Sequence, residues 1–199
     1  MNPIFSFRTW TPCLFASALA SLAPLALSQT LTAPTDRISD RAIHADYQAF
    51  EAAQSRIKAL NEGGRALRDY HLAKAQCWLD VSFHEYTRND RSAFPQQAFD
   101  QSLALVDAME KKSAPLAMDT VLVNDADRLR PDLWDLAGQL KTHAGAQCVA
   151  QRVACAEVEL VHAGNEHRQQ GWRHATPYVQ IAEDLLAPAM AQANACGVK

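Results

Sequence analysis

Apolar residues recur along most of this chain at three- and four-residue spacing, and sustained alternation at period two occurs nowhere. That pattern predicts helices and no sheet. A first helix is expected from Ser39 or Asp40 to Asn61, with Ala42, Ala45, Phe50, Ala53 and Ile57 apolar and Gly63-Gly64 as its stop. Tyr47 and Leu60 widen that face. The second, over residues 66–88, carries two adjacent stripes: Leu72, Ala75, Leu79, Phe83 and Tyr86, then Tyr70, Ala73, Cys77 and Val81. Gln76, Asp80, His84 and Arg88 form its polar edge. So wide an apolar arc suits a helix buried between neighbours. A third helix over 94–111 has Pro95 in its first turn, where the missing N–H does no harm. Residues 113–130 show no helical period. Pro131 opens a short fourth helix through Lys141, with Leu133, Trp134, Leu136 and Leu140 apolar and Gly145 closing it. The fifth covers 147–169 with the stripe Val149, Val153, Ala156, Leu160 and Ala163. The sixth covers 176–193, with Val179, Ala182, Leu185, Leu186 and Ala189 apolar.

The second and fifth helices open hairpins that match each other. At an offset of 81 residues Ala73, Ala75, Leu79 and Glu85 fall on Ala154, Ala156, Leu160 and Glu166. After one inserted residue, Arg91, Ala93, Pro95 and Leu103 fall on Arg173, Ala175, Pro177 and Leu185. The expected fold is all-α: two repeated helical hairpins plus additional helices, forming a helical bundle or a short helical-repeat stack.

Residues 1–28 read differently. Arg8 is their only charge, an apolar run extends from Trp10 through Leu27, and Ala26-Leu27-Ser28 places small residues at a cleavage position. This is the layout of a secretory signal. Pro12 and Pro24 interrupt the run and a polar segment follows, so a retained membrane anchor is not expected. Cys13 lacks the setting of a lipoprotein site. Residues 29–38 read as a flexible leader and 39–199 as a single all-helical domain.

Cleavage after Ser28 leaves Cys77, Cys148, Cys155 and Cys196, an even number in an exported chain, and so two disulfides. Cys148 and Cys155 lie two turns apart on one helix, about 10 Å, too far to pair with each other. Two connectivities survive. Cys148 and Cys196 each lie 24 residues from Trp172, which antiparallel helices would bring level. That favours Cys148–Cys196 with Cys77–Cys155 over Cys77–Cys148 with Cys155–Cys196. The formal net charge of −3 becomes −4 once Arg8 is removed. Neither a nucleic-acid footprint nor a membrane-surface helix is expected at this balance, and no later stretch approaches a membrane span.

Candidate chemistry is sparse. His162 and Glu166 stand at i, i+4 on one helix, a spacing able to present two ligands, but no third ligand is implied and the His-Glu-x-x-His pattern is missing. No metal and no cofactor are expected. Glu85 and Glu166, with Arg91 and Arg173, occupy equivalent positions around the two turns and read as paired braces, Glu85–Arg91 and Glu166–Arg173. Ser82, Ser92 and Ser102 lack a nucleophile elbow. The second turn holds Trp172, Arg173, His174 and then Tyr178, residue types favoured at binding hot spots. With Arg88 and Arg91 beside them, these are the candidate binding residues.

Two stretches, YHLAKAQCWLDVSFHEYTRND at 70–90 and AEVELVHAGNEHRQQGWRHATPYVQIAEDL at 156–185, resemble the amino-terminal helical region of some outer-membrane protein A family proteins of Gram-negative bacteria. The likeness covers most of 66–193. In that family a carboxy-terminal α/β domain binds peptidoglycan; no such domain is expected within residues 1–199. The resemblance implies a periplasmic or outer-membrane-associated helical module without supplying a ligand. The expected function is a cell-envelope interaction or scaffold module whose partner is an envelope protein or other envelope component, and not an enzyme. The alternatives are an envelope hydrolase working in a groove between the hairpins, or a secreted inhibitor of another enzyme.

Overall fold

The first two helices start at short polar side chains that satisfy the first free backbone N–H groups. Ser39 accepts from the Ala42 N–H and begins α1, Asp40–Glu62. The Asp69 carboxylate accepts from His71 and Leu72, both at 3.0 Å. That cap sets the start of α2, Tyr70–Thr87, four residues later than periodicity alone placed it. Then follow α3, Phe94–Glu110, and a single 3₁₀ turn at Val123–Asp125. Beyond it lie α4, Pro131–Thr142, α5, Ala146–Gln170, α6, Trp172–Leu186, and α7, Ala189–Gly197. The computed structural model describes residues 30–197, and no strand occurs among the described residues. The signal segment at 1–28 lies outside them. The protein is an all-helical bundle.

Cross-helix contacts give the directions. Ser82 Oγ donates to the Pro95 carbonyl at 2.6 Å and Ser102 Oγ to that of Ala75 at 2.8 Å, so α2 and α3 are antiparallel and closely packed. Tyr86 reaches Asp46 while Gln54 pairs with Gln76, so α1 is antiparallel to α2. Along α2 and α5, Cys77 joins Cys155 and Glu85 meets His162, two contacts with nearly the same offset. These two helices therefore run parallel. The hairpins α2–α3 and α5–α6 share that seam, and both turns lie at one end of the molecule, where Gln169 Nε2 donates to Asp90 Oδ2 at 3.2 Å.

The matched residues of the repeat behave alike on its first helix: Ala75 and Ala156, Leu79 and Leu160, and Glu85 and Glu166 are all buried. The second helices diverge. Six residues separate α2 from α3, but Gly171 alone separates α5 from α6, at φ +83°, a conformation that costs glycine little. Arg173, Ala175 and Pro177 accordingly sit inside α6, whereas Arg91 and Ala93 lie in a loop. The expected sixth helix begins four residues early and breaks after Leu186, because Pro188 has no N–H to continue the ladder.

Both favoured disulfides are present. Cys77–Cys155 has its Cα atoms 5.5 Å apart and Cys148–Cys196 has them 6.4 Å apart. The leader is tied down where it was expected to be loose. Leu31 is buried against the α1–α3 core and its N–H donates to Gln96 Oε1 at 2.6 Å. The Thr32 N–H and hydroxyl both donate to Asp46 Oδ1, at 2.7 and 2.9 Å. Residues 113–122 are held by a buried polar knot. Lys74 Nζ donates to the Asp119 carbonyl at 3.0 Å, to Thr120 Oγ1 at 2.5 Å and to Glu157 Oε2 at 3.1 Å. Glu157 also accepts from Tyr70 and from Lys141. Every donor of the Lys74 ammonium is occupied, which is what a buried charge requires. Farther along, Asp127 crosses α5 at Gly164, where a Cβ would meet its carbonyl oxygen at 2.1 Å.

Candidate functional site

The last turns of α2 and the second half of α5 carry polar residues that face each other across the parallel seam, the α5 members buried or half-buried and His84 and Arg88 open to solvent. His84 and Glu85 come from α2 and Arg88 from the residue that caps it. Glu159, His162 and Glu166 come from α5, and α6 adds His174 and Tyr178. Glu85 and Glu166 are 2% and 1% exposed, and His162 is 1% exposed.

His162 is the centre of the group. Its Nε2 lies 2.8 Å from Glu85 Oε1 and its Nδ1 lies 3.3 Å from Glu159 Oε2. The ring stands between Phe94, stacked at a centroid distance of 5.6 Å, and Tyr178 at 3.7 Å. Arg88 Nη1 donates to the Tyr178 hydroxyl oxygen at 2.6 Å, and His84 Nε2 lies 3.1 Å from the same oxygen. His84 Nε2 is also 3.5 Å from Glu85 Oε1, and Arg88 Nη1 is 3.8 Å from it.

These contacts set the proton affinities. Burial alone pulls His162 down, but its hydrogen bonds to Glu159 and Glu85 and their charges outweigh that and raise it above the ordinary imidazole value. Burial pushes the Glu85 carboxyl up, yet the His162 hydrogen bond and charge, with Arg88, bring it below the ordinary value. Burial and the neighbouring His162 charge lower His84. Glu166 is raised by burial and then by the charge of Glu85, and burial pushes Tyr178 up to about 12 against the pull of Arg88. One oxygen of Glu166, Oε2, is buried without a hydrogen-bond partner; His174 Nδ1 stands 3.7 Å away.

The two expected braces are replaced by other partners. Glu85 pairs with His162 and not with Arg91, whose Nη2 donates instead to the Pro34 carbonyl at 3.3 Å. Glu166 faces His174, while Arg173 is exposed on the first turn of α6. The one-residue turn at Gly171 puts both Arg173 and His174 in the first turn of α6, and it is His174 that faces Glu166. Among the expected binding residues, Arg88, His174 and Tyr178 come together at this site, whereas Trp172, 52% exposed, stands edge-on to His167. The reading of the sequence missed Glu159 and the meeting of His84, Glu85 and His162. A Glu-x-x-His step at 159 and 162 was visible, but its counterpart lies on another helix 77 residues away from His162.

A groove of about 560 Å³ runs between α1, α2 and the start of α5, lined in part by Gln54, Leu67, Arg68, Gln76 and Asp80. Asp80 is the single carboxylate of its lining. No helix among the described residues is long and apolar enough to cross a membrane. Comparison with protein-family models, with curated proteins and with solved structures finds no match.

Proposed function

We propose that this chain is an exported, envelope-associated interaction module, periplasmic or held at the outer membrane, that binds a protein partner at the hairpin end of the bundle. The observation that carries the proposal is the joining of the two hairpins there: Arg88, at the end of α2, holds Tyr178 of α6, and the first turn of α6 exposes Trp172 and Arg173. An aromatic–arginine group on a rigid support is the composition of a binding hot spot. Two disulfides are compatible with an oxidising compartment. The resemblance of 70–90 and 156–185 to helical regions of outer-membrane protein A family proteins supports the same setting.

The test is affinity capture with crosslinking from an envelope fraction, comparing the native protein with a Trp172→Ala, Arg173→Ala double variant. Both side chains are exposed, so the melting midpoint is expected to stay where it is. Truncating hot-spot residues costs about 2 kcal/mol or more each, enough to remove a captured partner. Undiminished capture, or capture lost only together with the fold, overturns the proposal.

A further inference from the structure

The interaction surface leaves unexplained why three good metal ligands converge beneath it. His84, Glu85 and His162 each offer one donor atom, and those atoms all lie within 4.8 Å of one another. Four-coordinate zinc sites with bonds of about 2.0–2.2 Å separate neighbouring ligand atoms by about 3.3 Å. Here Glu85 Oε1 is 2.8 Å from His162 Nε2 and 3.5 Å from His84 Nε2. Small side-chain movements suffice to admit an ion.

We propose that His84, Glu85 and His162 bind one divalent transition-metal ion of the zinc class. Two imidazoles and a carboxylate suit such an ion. The surroundings match the outer shell such a site needs. Glu159 lies 3.3 Å from His162 Nδ1, the carboxylate–histidine arrangement that fixes a ring and turns its Nε2 toward a metal. Phe94 and Tyr178 clamp the faces of that ring. His84 has a side chain that is 48% exposed, which gives the ion a route in from solvent and leaves a fourth position for water. Glu166, one turn beyond His162 on α5, adds an unpartnered buried oxygen to the same neighbourhood. Arg88 is the one opposing charge; it lies 3.8 Å from Glu85, outside hydrogen-bond distance, and is itself exposed and bound to Tyr178.

The experiment uses the disulfide-bonded protein stripped with EDTA and titrated with ZnCl₂, with CoCl₂ as the optical probe. One zinc per chain should bind, the melting midpoint should rise with zinc because the ion binds only the folded state, and cobalt should show the absorption of a low-coordinate complex. His84→Ala, chosen because its exposed side chain leaves the core intact, should lose at least about tenfold in zinc affinity, and Glu159→Gln about 10–100-fold. Melting of both variants in EDTA separates lost ligation from lost folding. His44→Ala, at an exposed histidine of α1, should bind as the native protein does. No rise in midpoint with excess zinc, native affinity in His84→Ala, or an equal loss in His44→Ala overturns the site. None of these outcomes depends on partner capture.

Discussion

Glu166 is a buried site carboxylate with an oxygen that no hydrogen bond satisfies. Its pKa is raised by burial and by Glu85. A carboxyl raised in the folded state stabilises below its unfolded value, near 4.5, and that stability is lost as pH rises through the folded value. Well above that unfolded value the group therefore opposes folding. Glu166→Gln, in EDTA, should raise the melting midpoint at pH 8, by an amount equivalent to about 1–3 kcal/mol, and the gain should shrink toward pH 4. A lowered midpoint at pH 8, or a gain independent of pH, defeats this account. The Glu85–His162 pair has the opposite logic. Glu85 is lowered, so its contribution is present above about 4.5 and lost below; His162 is raised, so its contribution is present below about 6.5 and lost above. The pair contributes fully between those values. Little of this was legible along the chain. Lys74, for example, falls between Tyr70 and Cys77 on an apolar stripe, a misplaced charge that signals a buried partner, but nothing local names Glu157 as that partner.

The starts of α1, α3 and α4 were legible at Ser39, Pro95 and Pro131, whereas the Asp69 cap that begins α2 is masked by an apolar period that extends upstream of it. The start of α6 was not legible, because one glycine makes the whole turn and no capping side chain follows it. α7 is the element least able to stand alone. Nine residues are too few for an isolated helix in water, and the Cys148–Cys196 bond fastens it to the first turn of α5. Replacing that pair by serines should raise amide exchange across 189–197 and leave α2 protected. Replacing Cys77 and Cys155 should free no single element, because that bond joins two helices already packed along their length. Its loss should instead lower global stability by about 2–4 kcal/mol, as a 78-residue loop is released. Hydrogen exchange read by mass spectrometry separates the two cases. Unchanged exchange in α7 without Cys148–Cys196 means that packing of Ala189 and Ala193 alone holds it.

At the scale of the molecule, the two hairpins were visible in the repeat, but their parallel packing was not, since the long connection through 111–145 carries no sign of direction. That packing makes α2 the shared wall of two cores. Its Leu72, Ala75 and Leu79 face Phe50, Phe99 and Val106, while Ala73, Trp78 and Val81 face the core built on Val153, Leu160 and Leu186. A helix buried on both sides couples the halves, because neither core keeps its boundary when α2 moves. The protein should therefore melt in one cooperative step. Phe50→Ala empties a site in the first core and should cost about 3–5 kcal/mol; Leu160→Ala does so in the second at about 2–5 kcal/mol. Calorimetry of the native protein and both variants, with disulfides intact, decides the matter. Each variant should shift a single transition whose calorimetric and van't Hoff enthalpies agree. Two separable transitions, with Phe50→Ala moving one and Leu160→Ala the other, would mean that the hairpins fold as independent units and that α2 belongs to only one of them.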